Sequence, residues 1–168
     1  MRLLRLVAIL TLLPAASPAQ STSTDAVEGP DGYVLWNANR VEAASARLDR
    51  ALGDKPMVYE TIGNYEGHSI YLVLRGSTGT AELHETESDL YIARRGRATF
   101  VIGGVLVDAQ ILPRKQVRGS AIRGGASQPI GPGDVVHVPE AVPHHLVIEP
   151  AEPFLYILIK FDEEPLGQ

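Results

Sequence analysis

Along residues 39–52, Val41, Ala44, Leu48 and Leu52 recur at helical spacing, and Gly53 follows the last of them. That spacing predicts one amphipathic helix. From Met57 onward the pattern changes to short runs rich in Val, Ile, Tyr and Thr, punctuated by Gly and Pro. These runs predict strands near residues 57–62, 68–75, 79–84, 89–94, 97–102, 104–107, 119–122, 134–138, 144–148 and 154–161. Many short strands separated by turns predict an all-β sandwich or barrel. Gly103-Gly104 and Gly124-Gly125 read as tight turns that use positive φ. Residues 108–132 hold Pro113, Gly119, Gly131 and Pro132 and show no period. They read as a long functional loop, a lid over a barrel mouth.

The first residues carry a different signal. Arg2 and Arg5 precede the apolar run 6–13, Pro14 breaks it, and Ser17-Pro18-Ala19 follows. This is the order of a secretory signal peptide cut after Ala19 or Gln20, with a buried N-terminal helix as the alternative. The run falls short of the about 20 residues that span a bilayer. The expected organisation is a signal peptide over 1–19, a flexible polar leader over 20–32 and one domain over 33–168, with a secreted or periplasmic location. The chain of 168 residues has no cysteine, which excludes a cysteine-borne lipid anchor and leaves the fold to rest on its core without disulfides.

Charge narrows the partners. The formal net charge of −5 includes two arginines and no acid in residues 1–19, so the remainder carries −7. A negative surface is unsuited to nucleic acid or anionic membrane. The expected partner is a small-molecule substrate or ligand, with a homodimer possible in the apolar strand 154–161; that strand reads equally well as a fully buried core strand.

Residues two apart on a strand share a face, so Glu82 and His84 look into one interior. Asp89 joins them across a turn at 85–88, and His144 begins a strand after the Pro139–Pro143 turn. Two imidazoles and two carboxylates inside an apolar barrel are costly unless something satisfies them. A divalent metal does so, and the set suits iron, manganese, zinc or nickel while its oxygen content argues against copper(I). Without Glu82, the residues His84, Asp89 and His144 have the composition of a two-histidine, one-carboxylate triad. Glu82 is then a metal ligand, a general base beside the metal, or part of a metal-free polar network with His84. Tyr91 shares parity with Asp89 and lines the pocket or the core.

The other candidates have plainer readings. His145 points away from His144, as a surface or intersheet residue. His137 reads as structural and His68 as solvated. Glu85 and Glu87 read as solvated turn charges, and Arg75 as a strand-end cation, with binding of an anionic substrate as its alternative.

The same residues carry a family likeness. Residues 76–96 read G-x5-E-x-H-x4-D-x6-G, and residues 133–148 read G-x5-P-x-A-x2-H-x3-I. Both resemble the two motifs of the cupin superfamily, G-x5-H-x-H-x4-E-x6-G and G-x5-P-x-G-x2-H-x3-N, with every spacing kept. Glu82 stands where the first histidine is usual, Asp89 replaces glutamate, Ala141 a turn glycine and Ile148 the closing asparagine. The resemblance implies a cupin-type jelly-roll β-barrel with one N-terminal helix. It leaves the reaction open, because cupins include oxygenases, isomerases, lyases and non-enzymatic binding proteins. The leading expectation is an exported metal-dependent enzyme acting on a small organic molecule, with oxygenase and isomerase or lyase chemistry both open. The alternatives are a non-catalytic module for a sugar or organic acid, and a structural cupin that only dimerises.

The N-terminal reading has a direct check. Mass spectrometry of the exported protein should find a chain that begins at Gln20 or Ser21; an exported species retaining Met1 contradicts it.

Overall fold

The computed structural model describes residues 29–149 and 152–163. The expected signal peptide, and the leader before Gly29, lie outside these residues. One helix, α1 (Ala38–Leu52), precedes thirteen strands. They are β1 (Met57–Tyr65), β2 (His68–Arg75), β3 (Ala81–His84), β4 (Glu87–Arg95), β5 (Ala98–Ile102), β6 (Val105–Val107), β7 (Gln110–Leu112), β8 (Gln116–Gly119), β9 (Ala121–Arg123), β10 (Ala126–Ile130), β11 (Val135–Val138), β12 (His144–Ile148) and β13 (Phe154–Asp162).

The strands form a five-stranded sheet, β1-β2-β13-β4-β11, a six-stranded sheet, β10-β5-β12-β3-β8-β7, and a β6-β9 ribbon. All pairings are antiparallel. The chain changes between these two large sheets at each step from β2 to β5 and at each step from β10 to β13. Such repeated crossing makes a two-sheet jelly roll of cupin type, in agreement with the all-β expectation.

Strand alternation gives the five-stranded sheet two apolar faces. Leu72, Leu74 and Leu155 point outward and bury Ala44, Leu48 and Leu52 of α1. Asn37 caps that helix, its side chain accepting from the Arg40 amide at 2.9 Å, and Gly53 ends it at φ 49°. The inward face gives Val73, Tyr91, Phe154 and Tyr156, which meet Phe100, Leu146 and Ile148 of the other sheet in the barrel core. Strand β13 lies between β2 and β4; Phe154, Leu155 and Tyr156 are buried in the core, the following residues are half-buried, and Phe161 is exposed.

Two sequence expectations need correction. Residues 108–132 are not a lid loop: they hold β7, β8, β9 and β10. The Gly and Pro punctuation misled because β10 is an edge strand, where Pro129 costs no ladder bond. The turn expected at 85–88 between the Glu82 and Asp89 strands is also shorter than that, and does not pair them as a hairpin. Strands β3 and β4 belong to opposite sheets, joined by the two-residue corner Glu85-Thr86, so Glu87 belongs to a strand.

Two turns show backbone constraint. Gly96 has φ 79°, and an added Cβ would stand 2.5 Å from the Pro153 carbonyl oxygen. Ala141 has φ 56° in the turn before His144, the position where the cupin motif carries glycine, and its amide donates to the His84 carbonyl at 2.7 Å. A left-handed alanine costs about 1–2 kcal/mol, partly offset by the unfolded-state freedom of glycine. Ala141→Gly should therefore stabilise the protein by about 0.5–1 kcal/mol, read from urea denaturation midpoints.

Candidate metal centre

The four residues singled out from the sequence converge at one end of the barrel. Glu82 and His84 come from β3, Asp89 from β4 and His144 from β12, where it pairs directly with Glu82. His84, Asp89 and His144 are buried, and Asp89 is only 1% exposed. Asp89 Oδ2 lies 3.3 Å from His84 Nε2 and 3.6 Å from His144 Nε2. Glu82 Oε2 lies 3.5 Å from His84 Nε2. Ligand atoms of Glu82, His84 and His144 all fall within 4.8 Å of one another, as do those of His84, Glu87 and Asp89.

Hydrogen bonds set which imidazole nitrogen faces the centre. His144 Nδ1 lies 3.1 Å from the Val142 carbonyl oxygen, which can only accept, so Nδ1 carries the proton. His144 Nε2 is then a bare lone pair, buried and without a hydrogen-bond partner among the described residues. His84 Nδ1 bonds Gln116 Oε1. That amide is oriented by its other bonds: Oε1 accepts from Arg118 Nη2 at 3.1 Å, and Nε2 donates to Glu87 Oε2 at 3.3 Å and to the Arg114 carbonyl at 3.2 Å. Both histidines thus offer Nε2 to the same space, the second-layer arrangement that fixes tautomers in metal sites. The orphaned Nε2 and the mixed nitrogen–oxygen donors fit a divalent cation.

A cation that strand reasoning overlooked already stands there. Lys160 on β13 donates to Asp89 Oδ1 at 2.6 Å, contacts His84 Nε2 at 3.1 Å and pairs with Glu87 Oε2 at 3.1 Å. Its parity with Tyr156 and Leu158, inside an otherwise apolar strand, was the signal available in the sequence. Asp89 therefore divides its oxygens: Oδ1 serves the ammonium, while Oδ2 faces the two imidazoles and accepts from Tyr91 at 3.1 Å. Gln116 and Arg118 also went unread, because their segment looked like loop.

Several lesser expectations change. Glu87 is half-buried on β4 and belongs to the site, not to a solvated turn. His145 is buried on the far face of β12 and its Nε2 lies 2.9 Å from the Gly79 carbonyl oxygen, so it turns away from the centre as parity required but is not a surface group. His68 is half-buried and stacked on Tyr65 at 4.7 Å, not simply solvated. His137 is exposed on β11. Tyr91 is buried, lines the cavity and packs on Phe100 at 5.1 Å. The cavity above these residues measures about 640 Å³.

The electrostatics follow from burial and pairing. Burial alone would raise the Asp89 pKa, but His84 and Lys160 outweigh it and hold the carboxyl well below the usual range. Burial lowers the His144 pKa, with Asp89 opposing in part, so the imidazole is kept neutral as a ligand must be. Burial acts against the Lys160 ammonium too, yet Asp89 and Glu87 raise its pKa. Burial pushes the Tyr91 hydroxyl well up, so it stays a donor.

No known family profile matches the chain, and no curated protein matches it. Solved structures do. TT1209 from Thermus thermophilus is 18% identical, with a TM-score of 0.51 over 70% of this chain and 93% of that one. KdgF from Halomonas sp. is 16% identical, with a TM-score of 0.46 over 65% and 82%. The iron(II) form of HppE is 12% identical, with a TM-score of 0.47 over 63% and 51%.

The titrations give a stability expectation. His144 has a lowered pKa when folded, so below its ordinary 6.5 the unfolded chain takes up a proton that the folded one resists. Stability from this group is full above that value and is lost as pH falls; Asp89, also lowered, extends the loss further into acid. Melting of chelator-treated protein should fall steadily from pH 7 to pH 4, and His144→Phe should flatten the upper part of that fall. On these observations of sheet order and two-sheet crossing, the chain has a cupin-type β-barrel fold with one helix.

Proposed function

We propose that the protein is a metal-dependent enzyme acting on a small organic molecule in the open end of the barrel, with His84, His144 and Asp89 as the metal's ligands and Glu82 as a fourth ligand or a general base. The observation that carries this reading is the buried, unpartnered Nε2 of His144, aimed at the space that His84 Nε2 and Asp89 Oδ2 share. A lone pair in that state is expensive, and a cation is the group that uses it. A bound divalent ion would supply Lewis-acid polarisation of a substrate oxygen. Iron, manganese, zinc and nickel all suit the donors.

The chain's own residues do the rest. Gln116 holds the His84 ring, and Val142 holds the His144 ring. Lys160 and Tyr91 anchor Asp89 from two sides. Glu82 has looser contacts: His84 at 3.5 Å, Arg118 at 3.7 Å and Arg75 at 3.8 Å. It lines the cavity, and its oxygens are free to join the metal or to take a proton from a bound molecule. That second role fits isomerase or lyase chemistry, which begins with proton transfer. Secretion or periplasmic export remains part of the proposal, resting on residues 1–19.

A second reading has its own support. The Lys160 ammonium already bridges Asp89, Glu87 and His84, so the carboxylates have a counter-cation without any metal. A metal-free binding module for a sugar or organic acid would use that arrangement.

Metal content separates the two. Protein purified without chelator and reconstituted should retain close to one metal per chain by elemental analysis; none retained with any of the four ions rejects the enzyme reading in favour of the binding module. His84→Ala and His144→Ala should each weaken metal binding by more than about 100-fold, beyond the 10–100-fold typical of outer-layer changes. Exposed His137→Ala should leave it unchanged. Glu82→Gln should lower affinity if Glu82 is a ligand, and should keep the metal but abolish turnover if it is a base.

A further inference from the structure

Arg75 ends β2 on the barrel's inner face, and its side chain is only 14% exposed. Its contacts are long: Nε stands 3.5 Å from the Tyr156 hydroxyl, and Nη2 3.8 Å from Glu82 Oε1. A guanidinium has five N–H donors, and ordinary hydrogen bonds are near 2.9 Å. This one is desolvated without being engaged. Arg118 approaches from β8 in the opposite sheet, 27% exposed, positioned by bonds to the Val117 carbonyl at 3.2 Å and Gln116 Oε1 at 3.1 Å, with Nη2 3.7 Å from Glu82 Oε2. The two guanidiniums flank one cavity from two sheets and share a carboxylate that neither binds closely.

The cavity's charges point the same way. Its lining includes four cations, Arg75, Arg114, Arg118 and Lys160, and four carboxylates, Glu82, Glu87, Asp89 and Asp162. These balance. A divalent ion at the histidines would leave a surplus of two positive charges, which an anionic ligand neutralises. Part of the remaining wall is aromatic: Tyr59 and Tyr71 pack edge to face at 5.7 Å, and His68 stacks on Tyr65. Flat rings of this kind suit a planar or cyclic body.

We propose that Arg75 and Arg118 form a carboxylate-docking subsite and that the ligand is a small organic acid whose ring lies against the tyrosine wall. The charge surplus rests on the metal reading; the loosely held Arg75 guanidinium, with Arg118 across the cavity, does not. A carboxylate between them would gain charge-assisted, bidentate bonds in a partly dry cavity.

Calorimetric titration with benzoate and glucuronate, against benzamide and glucose, tests this on metal-loaded and chelator-stripped protein. The metal-loaded form should bind at least one acid about tenfold or more tightly than its neutral counterpart. Arg118→Gln should erase most of that preference. Arg75→Lys keeps a charge but loses the fork, and should weaken acid binding while leaving the neutral compound unaffected. Metal content and circular dichroism of each variant distinguish lost docking from a disturbed centre or fold. Equal binding of acid and neutral partner, no binding of any probe, or folded and metal-replete variants that keep the preference would overturn the proposal. If no metal is retained, the metal reading fails alone: acid binding to stripped protein that depends on Arg75 and Arg118 still upholds the subsite, and its absence overturns it.

Discussion

An ionised carboxylate almost wholly removed from water is the constraint around which this end of the barrel is organised. Asp89 is 1% exposed, and leaving such a charge uncompensated would cost several kcal/mol. Compensation comes chiefly from Lys160, which enters from β13, and from the Tyr91 hydroxyl on Asp89's own strand, while His84 of β3 and His144 of β12 turn their rings towards the same carboxylate. Both sheets meet at one side chain, so the register of four strands is tied to a single buried ion.

The two-sheet topology makes that meeting possible. Because β3 and β4 separate into opposite sheets at a two-residue corner, His84 and Asp89, five positions apart, face each other across the interior. A hairpin would have set them side by side on one surface. The same crossing carries His144 in from the turn at Ala141, whose amide is bonded to the His84 carbonyl. Backbone and side-chain contacts between the two motifs thus reinforce one another.

Much of this was legible in the sequence, for reasons that also mark where reading stopped. Period-two alternation is local, so the inward parity of Glu82, His84, Asp89, Tyr91 and His144 followed from the chain alone, and the helix followed from the spacing of its four apolar residues. Pairing between distant segments is not local. Nothing near Lys160 in sequence announces Asp89, seventy-one positions away, and a lysine in an apolar strand reads as an interruption until its partner is known. Gln116 and Arg118 were hidden by neighbouring glycines and prolines, which mark loops in general but here flank short strands. Glu87 was read as a solvated turn charge because the 85–88 corner looked longer than it is, and Arg75 as an ordinary strand-end cation; in a jelly roll, one such end is the mouth of the cavity.

The His144 ring lies nearly parallel to Phe100, with centroids 6.1 Å apart and planes 5° from parallel, and Phe100 in turn packs on Tyr91. Core and chemistry therefore share a wall. Interiors packed at crystal-like density transmit small volume changes, so a substitution deep in the apolar half, such as one that enlarges or trims Phe100, would tilt the imidazole as well as alter stability. Evolution or engineering of this scaffold has little freedom to tune robustness and reactivity separately: variants that repack the barrel's interior will carry altered coordination with them, and mutational paths to new chemistry should run through the outer wall of the cavity, where residues touch neither Phe100 nor the ring behind it.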